Sequence, residues 1–135
     1  MVYIDKKIAI WVMQQPNGRW HPDMQAIGDI GIDGKLIAGI AVESENDNCM
    51  WGHLRIIAPP SKQFWINAAD YIFNQRGKKR FSAVVEADNI DAVMVNLHIG
   101  FVLEAVLKEA GRDGDLLIMT LWKKNCRFLN WIQHA

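Results

Sequence analysis

Hydrophobic and polar positions along residues 26–58 predict three consecutive strands. Two apolar runs within residues 26–42 are separated by Asp33 and Gly34, a pair that readily adopts the positive φ values of a two-residue hairpin turn. The second run is apolar on both faces, which predicts a central strand that is covered on each side. A third strand, at residues 49–58, ends at two prolines, because proline cannot donate to a strand ladder.

A helix is predicted directly after these prolines. Ser61 is a suitable N-cap, and apolar residues then keep helical spacing up to Arg76 and Gly77, an ending typical of a helix C-terminus. Residues 81–87 form the next predicted strand. Because strand, helix and strand follow one another through short joints, they predict a right-handed βαβ crossover with parallel strands.

The last part of the chain predicts a shorter helix and a β-hairpin. Asp88 is the predicted cap of this helix and Gly100 its end. Four apolar residues are expected to form its buried stripe: Ile90, Val93, Met94 and Leu97. Residues 101–107 and 116–122 alternate and predict the hairpin. The order β-β-β-α-β-α-β-β predicts an α+β fold: a mixed, mostly antiparallel sheet with one parallel crossover and helices on both faces.

Composition and charge narrow the class of protein. The chain has 135 residues, half of them hydrophobic, and 15 basic residues balance 15 acidic ones. We expect a single domain, residues 1–135, large enough for a core without disulfides. A nucleic-acid binder normally carries a basic excess, and the apolar run at residues 8–13 is too short to span a membrane. We therefore expect a cytoplasmic protein with no nucleic-acid or membrane partner. Its histidines and acids show no metal-ligand spacing, so we expect no metal site.

Two short passages resemble a known family. They are Val84 to Asn89, with the sequence VVEADN, and Asn96 to Phe101, with the sequence NLHIGF. Together with the order of elements, they resemble the GNAT superfamily of acyl-CoA N-acyltransferases over roughly residues 26–127. In that family a strand leads to an Asn at the start of a helix, which ends in a Leu-Gly-Phe or Ile-Gly-Phe corner. The chain looks most like its short, divergent members from bacteria and tailed phages.

The resemblance implies an acetyl-CoA-dependent N-acetyltransferase that acts by direct transfer to an amine acceptor. In this family the strand before the first long helix separates from its parallel neighbour and binds the pantetheine arm. The corresponding residues here are Ile56, Ile57 and Ala58. The next loop and helix N-terminus bind the pyrophosphate. The corresponding residues are Ser61, Lys62, Gln63, Phe64 and Trp65.

Three further residues carry implied roles. His53 lies on the strand that often carries the general base in this family, so the resemblance implies that His53 is the base. The alternative is that His53 is a half-buried or surface histidine of the strand with no catalytic role. Asn89 corresponds to a side chain that contacts the pantetheine, and its other interpretation is an ordinary residue of the first helical turn. Asn96 stands where many members have a Tyr that protonates the leaving thiolate. Asn is no general acid, although its amide can donate a hydrogen bond to the sulfur.

Other departures support a second hypothesis, a catalytically inactive GNAT-like binding or virion-associated module. Residues 59–65 lack the glycines of the family's pyrophosphate loop, so Lys62 is left to compensate for them. The N-terminal acceptor half, about residues 1–25, is short and suits a small or extended amine acceptor, a small molecule or a peptide. The apolar C-terminal segment requires cover from the domain or from a second copy in a homodimer. It contains Phe128, Leu129, Trp131 and Ile132.

Overall fold

The computed structural model describes residues 1–16 and 18–132, with Ile132 described by its backbone only. It has seven strands: β1 (Val2–Ile4), β2 (Gln25–Ile30), β3 (Leu36–Glu43), β4 (Cys49–Ile56), β5 (Arg80–Glu86), β6 (Val102–Leu107) and β7 (Leu116–Trp122). They form one sheet in the order β1-β2-β3-β4-β5-β7-β6. Only β4 and β5 are parallel neighbours among these strands. The predicted mixed sheet with one parallel crossover is confirmed.

Helices cover both faces of this sheet, as predicted. The described residues contain α1 (Ile8–Val12), α2 (Lys62–Ala69), α3 (Ile90–Ile99) and α4 (Leu129–Ile132). A π-helix, Asp70–Gln75, continues α2, and a 3-10 turn, Lys123–Asn125, follows β7. The α1 helix packs on one face, while α2 and α3 pack on the other. The sequence pattern did not predict β1, α1 or α4, because runs of three to five residues are too short to show a hydrophobic period.

The first hairpin is confirmed, but its connection is longer than the predicted two-residue turn. The register shifts between Asp29 and Ile30, and residues 31–35 form the loop. The Gly31 N–H donates to the Lys35 carbonyl at 2.9 Å. Gly34 alone adopts a positive φ in this loop, of 81°. The bulge beside Asp29 therefore lengthens the connection.

Two glycines allow α1 to approach the sheet closely. Gly28 of β2 lies directly opposite Gly39 of β3. A Cβ atom at Gly39 would lie 2.6 Å from a methyl carbon of Val12, and one at Gly28 would lie 3.1 Å from Ile8. These two positions therefore exclude larger residues. The close approach also sets the position of the segment that follows α1, of which Asn17 lies outside the described residues.

The predicted N-cap of α2 is confirmed, but that of α3 is wrong. The Ser61 hydroxyl accepts a hydrogen bond from the Phe64 N–H at 3.2 Å. In α3 it is Asn89, not Asp88, whose side chain caps the helix, by accepting from the Ala92 N–H at 3.2 Å. Gly100 ends α3 with a left-handed φ of 119°, as expected of a C-terminal glycine.

The predicted buried stripe of α3 is also wrong in three of its four residues. Ile90, Met94 and Leu97 are 63%, 59% and 47% exposed, and only Val93 packs partly against the core. The fully buried side of the helix instead carries Asn96 and Ile99. Apolar residues lie on nearly every side of this helix, so periodicity alone does not determine which side faces the sheet.

Candidate active site

A cleft opens where the two parallel strands separate. The pairing of β4 with β5 covers only three residue pairs, from Cys49 with Arg80 to Trp51 with Ser82. Beyond this point the strands enclose a cleft of about 720 Å³. Its other walls are α3, the segment after α1 and the β6–β7 loop. The separation exposes strand edges inside the molecule, where a ligand can pair with them.

The backbone groups of β4 that face this cleft follow from its pairing with β3. The Ile57 N–H donates to the Ile37 carbonyl at 2.7 Å, which sets the phase of the antiparallel ladder. Because successive residues direct their backbone groups to opposite sides, Gly52, Leu54 and Ile56 direct theirs away from β3. The Gly52 N–H still belongs to the pairing with β5, so the Gly52 carbonyl and the groups of Leu54 and Ile56 face the cleft. The side-chain amide of Gln15 donates to the Leu54 carbonyl at 3.2 Å. One acceptor on this edge is therefore already occupied.

The three strand-end residues that sequence analysis selected fall in different surroundings. Ile56 lines the cleft. The N–H groups of Ile57 and Ala58 both donate to the Ile37 carbonyl, at 2.7 and 3.3 Å, so they are turned toward β3. The free edge of β4 therefore lies further toward its N-terminus, from the Gly52 carbonyl to Ile56.

His53 lines the cleft and belongs to a cluster of three polar side chains. Its Nε2 contacts one carboxylate oxygen of Glu43, and the His21 Nε2 lies 2.7 Å from the other oxygen. The three side chains are half-buried, with His21 39% exposed. Because an ionised carboxylate can only accept, both imidazoles donate their Nε2 protons, and in each neutral ring Nδ1 keeps the lone pair. In that tautomer Nδ1 is the ring atom of His53 that can accept a hydrogen bond.

Glu43 remains charged in this cluster. Burial by itself raises the pKa of the Glu43 carboxyl, but hydrogen bonds and charge interactions with His21 and His53 outweigh burial and lower that pKa. The charged Glu43 therefore holds the imidazole of His53 in place through its Nε2.

Both asparagines selected from the sequence line the cleft, on α3. Asn96 is buried, and its side-chain amide lies 3.8 Å from the Met119 sulfur, the distance of a weak hydrogen bond. Its amide can therefore donate to the sulfur of a ligand in the cleft instead of to the Met119 sulfur. Asn89 is exposed, and its side-chain oxygen caps α3, so its cap role accounts for its presence at this position.

The start of α2 lies outside the cleft, since none of residues 57–65 lines it. Phe64 is fully buried, and Trp65 stacks on Phe128 with ring centroids 5.7 Å apart. The Lys62 ammonium lies 4.2 Å from the centroid of the Trp131 ring, and the Gln63 amide donates to the Asn67 side chain at 2.6 Å. The structure therefore places Ser61, Lys62, Gln63, Phe64 and Trp65 apart from His53 and Asn96.

The mouth of the cleft carries charges of both signs. Glu86, Asp91 and Arg112 line it. The Glu86 carboxylate accepts from the Arg112 backbone N–H at 3.0 Å. In the part of the chain that the structure describes, no group of three or more His, Cys, Asp or Glu side chains is arranged to hold a metal ion. No helix among the described residues is long and apolar enough to span a membrane.

The sequence indicates His53 as a candidate base but not its contact with Glu43, nor that of Glu43 with His21. Glu43 and His53 sit diagonally across the β3–β4 ladder, since Ala41 pairs with His53 and Glu43 with Trp51. Once the register is known, this diagonal places both side chains on one face. His21 and Gln15 come from the irregular segment before β2, where no periodic signal exists.

The strand order and the parallel pair that separates define an acyltransferase fold, that of the GNAT N-acetyltransferases. A mutant of the spermidine N-acetyltransferase SpeG from Vibrio cholerae matches with a TM-score of 0.72 at 17% identity, over 96% of this chain and 98% of that one. A SpeG chimera matches with a TM-score of 0.62 at 23% identity, over 79% of this chain and 70% of that one. At these identities the likeness shows the fold. The sequence matches no family model and no curated protein.

Proposed function

We propose that the protein is an N-acetyltransferase that transfers the acetyl group of acetyl-CoA directly to an amine, with His53 as general base. The observation that carries this proposal is the cleft beside β4, in which a carboxylate-held imidazole meets a free strand edge. Acetyl-CoA supplies the acetyl group as a thioester, and its sulfur leaves as the amine nitrogen bonds to the carbonyl carbon. Nδ1 of His53 accepts a proton from the amine, typically worth about 10²- to 10⁴-fold in rate.

The walls of the cleft fit the thioester end of the donor. Backbone N–H groups at Leu54 and Ile56, beyond the last residue pair of β4 with β5, supply donors for the oxygen that gains negative charge. The Asn96 amide supplies a hydrogen bond to the departing sulfur in place of a proton. The proton that the thiolate takes up then comes from water or from the His53 imidazolium.

We propose a small primary amine as acceptor, with polyamines the first class to test. Structures of enzymes named for spermidine are among those that match. In this chain, Asp91 supplies an exposed carboxylate beside the cleft, which suits an acceptor with a second ammonium group. Cytoplasmic location and the short bacterial or phage type stay predictions from the sequence.

The test is thiol release from acetyl-CoA with spermidine, spermine and short diamines, with product identified by mass. We expect acetylated amine from the wild type, at least a hundredfold loss in His53→Ala, and little change in His98→Ala, an exposed histidine at the end of α3. If acetyl-CoA binds without turnover on any amine, the inactive binding module is the better interpretation.

We also propose a homodimer, formed through β6 and α3 and not through the C-terminal segment. Phe128 is buried against Trp65, so that segment covers its own chain. On the other side, β6 is an edge strand, and Leu103 and Val106 lie on the face that α3 covers. Antiparallel pairing of two β6 strands about a two-fold axis places Leu103 opposite the partner subunit's Val106.

Sedimentation across micromolar concentrations tests this dimer. The exposed α3 residue Met94 would lie at the interface, so we expect Met94→Lys to be monomeric. Ile32→Lys, at a fully exposed position of the first hairpin loop, is the matched control and should sediment like the wild type. A monomeric wild type, or a dimer that Met94→Lys leaves intact, contradicts the proposal.

A further inference from the structure

The start of α2 already holds an anion, and that anion belongs to the protein. The Ser61 backbone N–H donates to a carboxylate oxygen of Asp29 at 2.7 Å. Asp29 lies on β2 and points toward α2, and its side chain is only 2% exposed. The Phe64 N–H is also used, since it donates to the Ser61 hydroxyl. A helix N-terminus favours negative charge, and here a buried side chain supplies it.

The carboxylate of Asp29 is ionised. Burial by itself raises its pKa, but hydrogen bonds from Ser61 and from the Met1 ammonium, 3.1 Å away, outweigh burial and lower that pKa. A phosphate group brought to the first turn of α2 would therefore find the Ser61 N–H already bound to a carboxylate that is held in place by the Met1 ammonium.

The basic residue at this place is engaged as well. Lys62 is the sole Lys or Arg between Ile57 and Arg76. Its ammonium lies over the Trp131 ring of α4. The segment also lacks the glycines that would let a phosphate approach the backbone. The residues present at the start of α2 do not fit a pyrophosphate group.

We propose that this protein recognises its acyl donor through the thioester-bearing pantetheine arm alone, and that Asp29 excludes the donor's pyrophosphate from α2. The substrate class is then an acyl-pantetheine thioester, with or without the nucleotide. This inference rests on the proposed function for the thioester and on the Asp29–Ser61 contact for the exclusion. It makes Asp29 a specificity-determining residue outside the cleft.

Calorimetric binding of CoA and of pantetheine tests the inference without any need for turnover. We expect the wild type to bind both within about threefold of each other, with little dependence of the CoA affinity on salt. We expect Asp29→Asn to bind CoA at least tenfold more tightly and pantetheine unchanged. Asp47→Asn is the matched control, because Asp47 is exposed in the β3–β4 loop at the opposite end of β4.

Two results overturn the inference. One is a wild type that binds CoA at least thirtyfold more tightly than pantetheine, with the preference lost in Lys62→Ala. The other is an Asp29→Asn protein that folds but binds CoA no more tightly than the wild type does.

If the wild type binds neither ligand, the donor part of the proposed function fails, and Asp29→Asn is then assayed with CoA and inorganic pyrophosphate. A gain of binding there still supports exclusion by Asp29, and no gain overturns it. The comparison of ligands on the wild type decides the matter if Asp29→Asn does not fold.

Discussion

The cleft beside β4 and the start of α2 are two places where backbone groups lie outside regular strand or helix pairing. They differ in whether the chain itself supplies the partners of those groups. At β4 the Gly52 carbonyl and the backbone groups of Ile56 stay open to a ligand, while the Leu54 carbonyl accepts from Gln15. At α2 the N–H groups of Ser61 and Phe64 are both satisfied from within the chain. The comparison teaches that an architecture supplies places for ligands, while single side chains decide which places remain available.

Among these variants, removal of the proposed base, His53, should have the largest effect, a loss of activity in the cleft. In His53→Ala the cleft keeps its backbone edge but loses the proton acceptor, so we expect kcat at neutral pH to fall about 10²- to 10⁴-fold. Steady-state thiol release measures it. A loss below threefold would show that the cleft works through another base or through water.

Asp29→Asn should lower the free energy of unfolding by about 1.5–3 kcal/mol at pH 7, the usual range for a hydrogen bond to a charged group. The folded state lowers the pKa of Asp29, so its contribution is full above the unfolded pKa and is lost as pH falls through the folded one. Urea unfolding at pH 7, 5 and 3 should therefore show a difference from wild type that shrinks below about pH 4. A difference independent of pH would contradict the ionised carboxylate.

Gly52→Ala tests the point where β4 and β5 separate. A Cβ atom there would collide with the Phe81 ring, so we expect a loss of about 1–3 kcal/mol from overpacking. Gly114→Ala is the control, because nothing lies near its added methyl group and its φ is not positive. Equal thermal stability of the two variants would mean that Phe81 moves aside freely.

The smallest expected effect comes from Gln15, whose side-chain amide occupies the Leu54 carbonyl on the open edge of β4. Gln15→Ala removes the hydrogen bond to Leu54 and should lower the free energy of unfolding by about 1 kcal/mol. Since the Leu54 carbonyl then becomes free, pantetheine should bind a few-fold more tightly by calorimetry. Gln14→Ala, at the exposed neighbouring position, should change neither quantity. Weaker pantetheine binding in Gln15→Ala would mean that Gln15 itself contacts the ligand.

Prediction from the sequence was sound for elements with clear boundaries and weak for the orientation of α3. Prolines, Ser61 and Gly100 mark boundaries through local backbone chemistry, and the structure confirms them. The side of α3 that faces the sheet was predicted wrongly, because Ile90 and Met94 are as apolar as the residues that are buried. In the candidate site, His53 and Asn96 were selected from the sequence and both line the cleft. Their roles stay proposals.

The sequence by itself determined the order of six of the seven strands along the chain, the parallel crossover and the resemblance to the GNAT family, since these depend on periodicity and on short local signals. Only the tertiary structure decided which side chains meet. Glu43 joins His21 to His53, and Asp29 reaches Ser61 across 32 positions of the chain. Such contacts depend on strand register and on the bulge beside Asp29, and a slip of one residue would turn these side chains to the opposite face of the sheet.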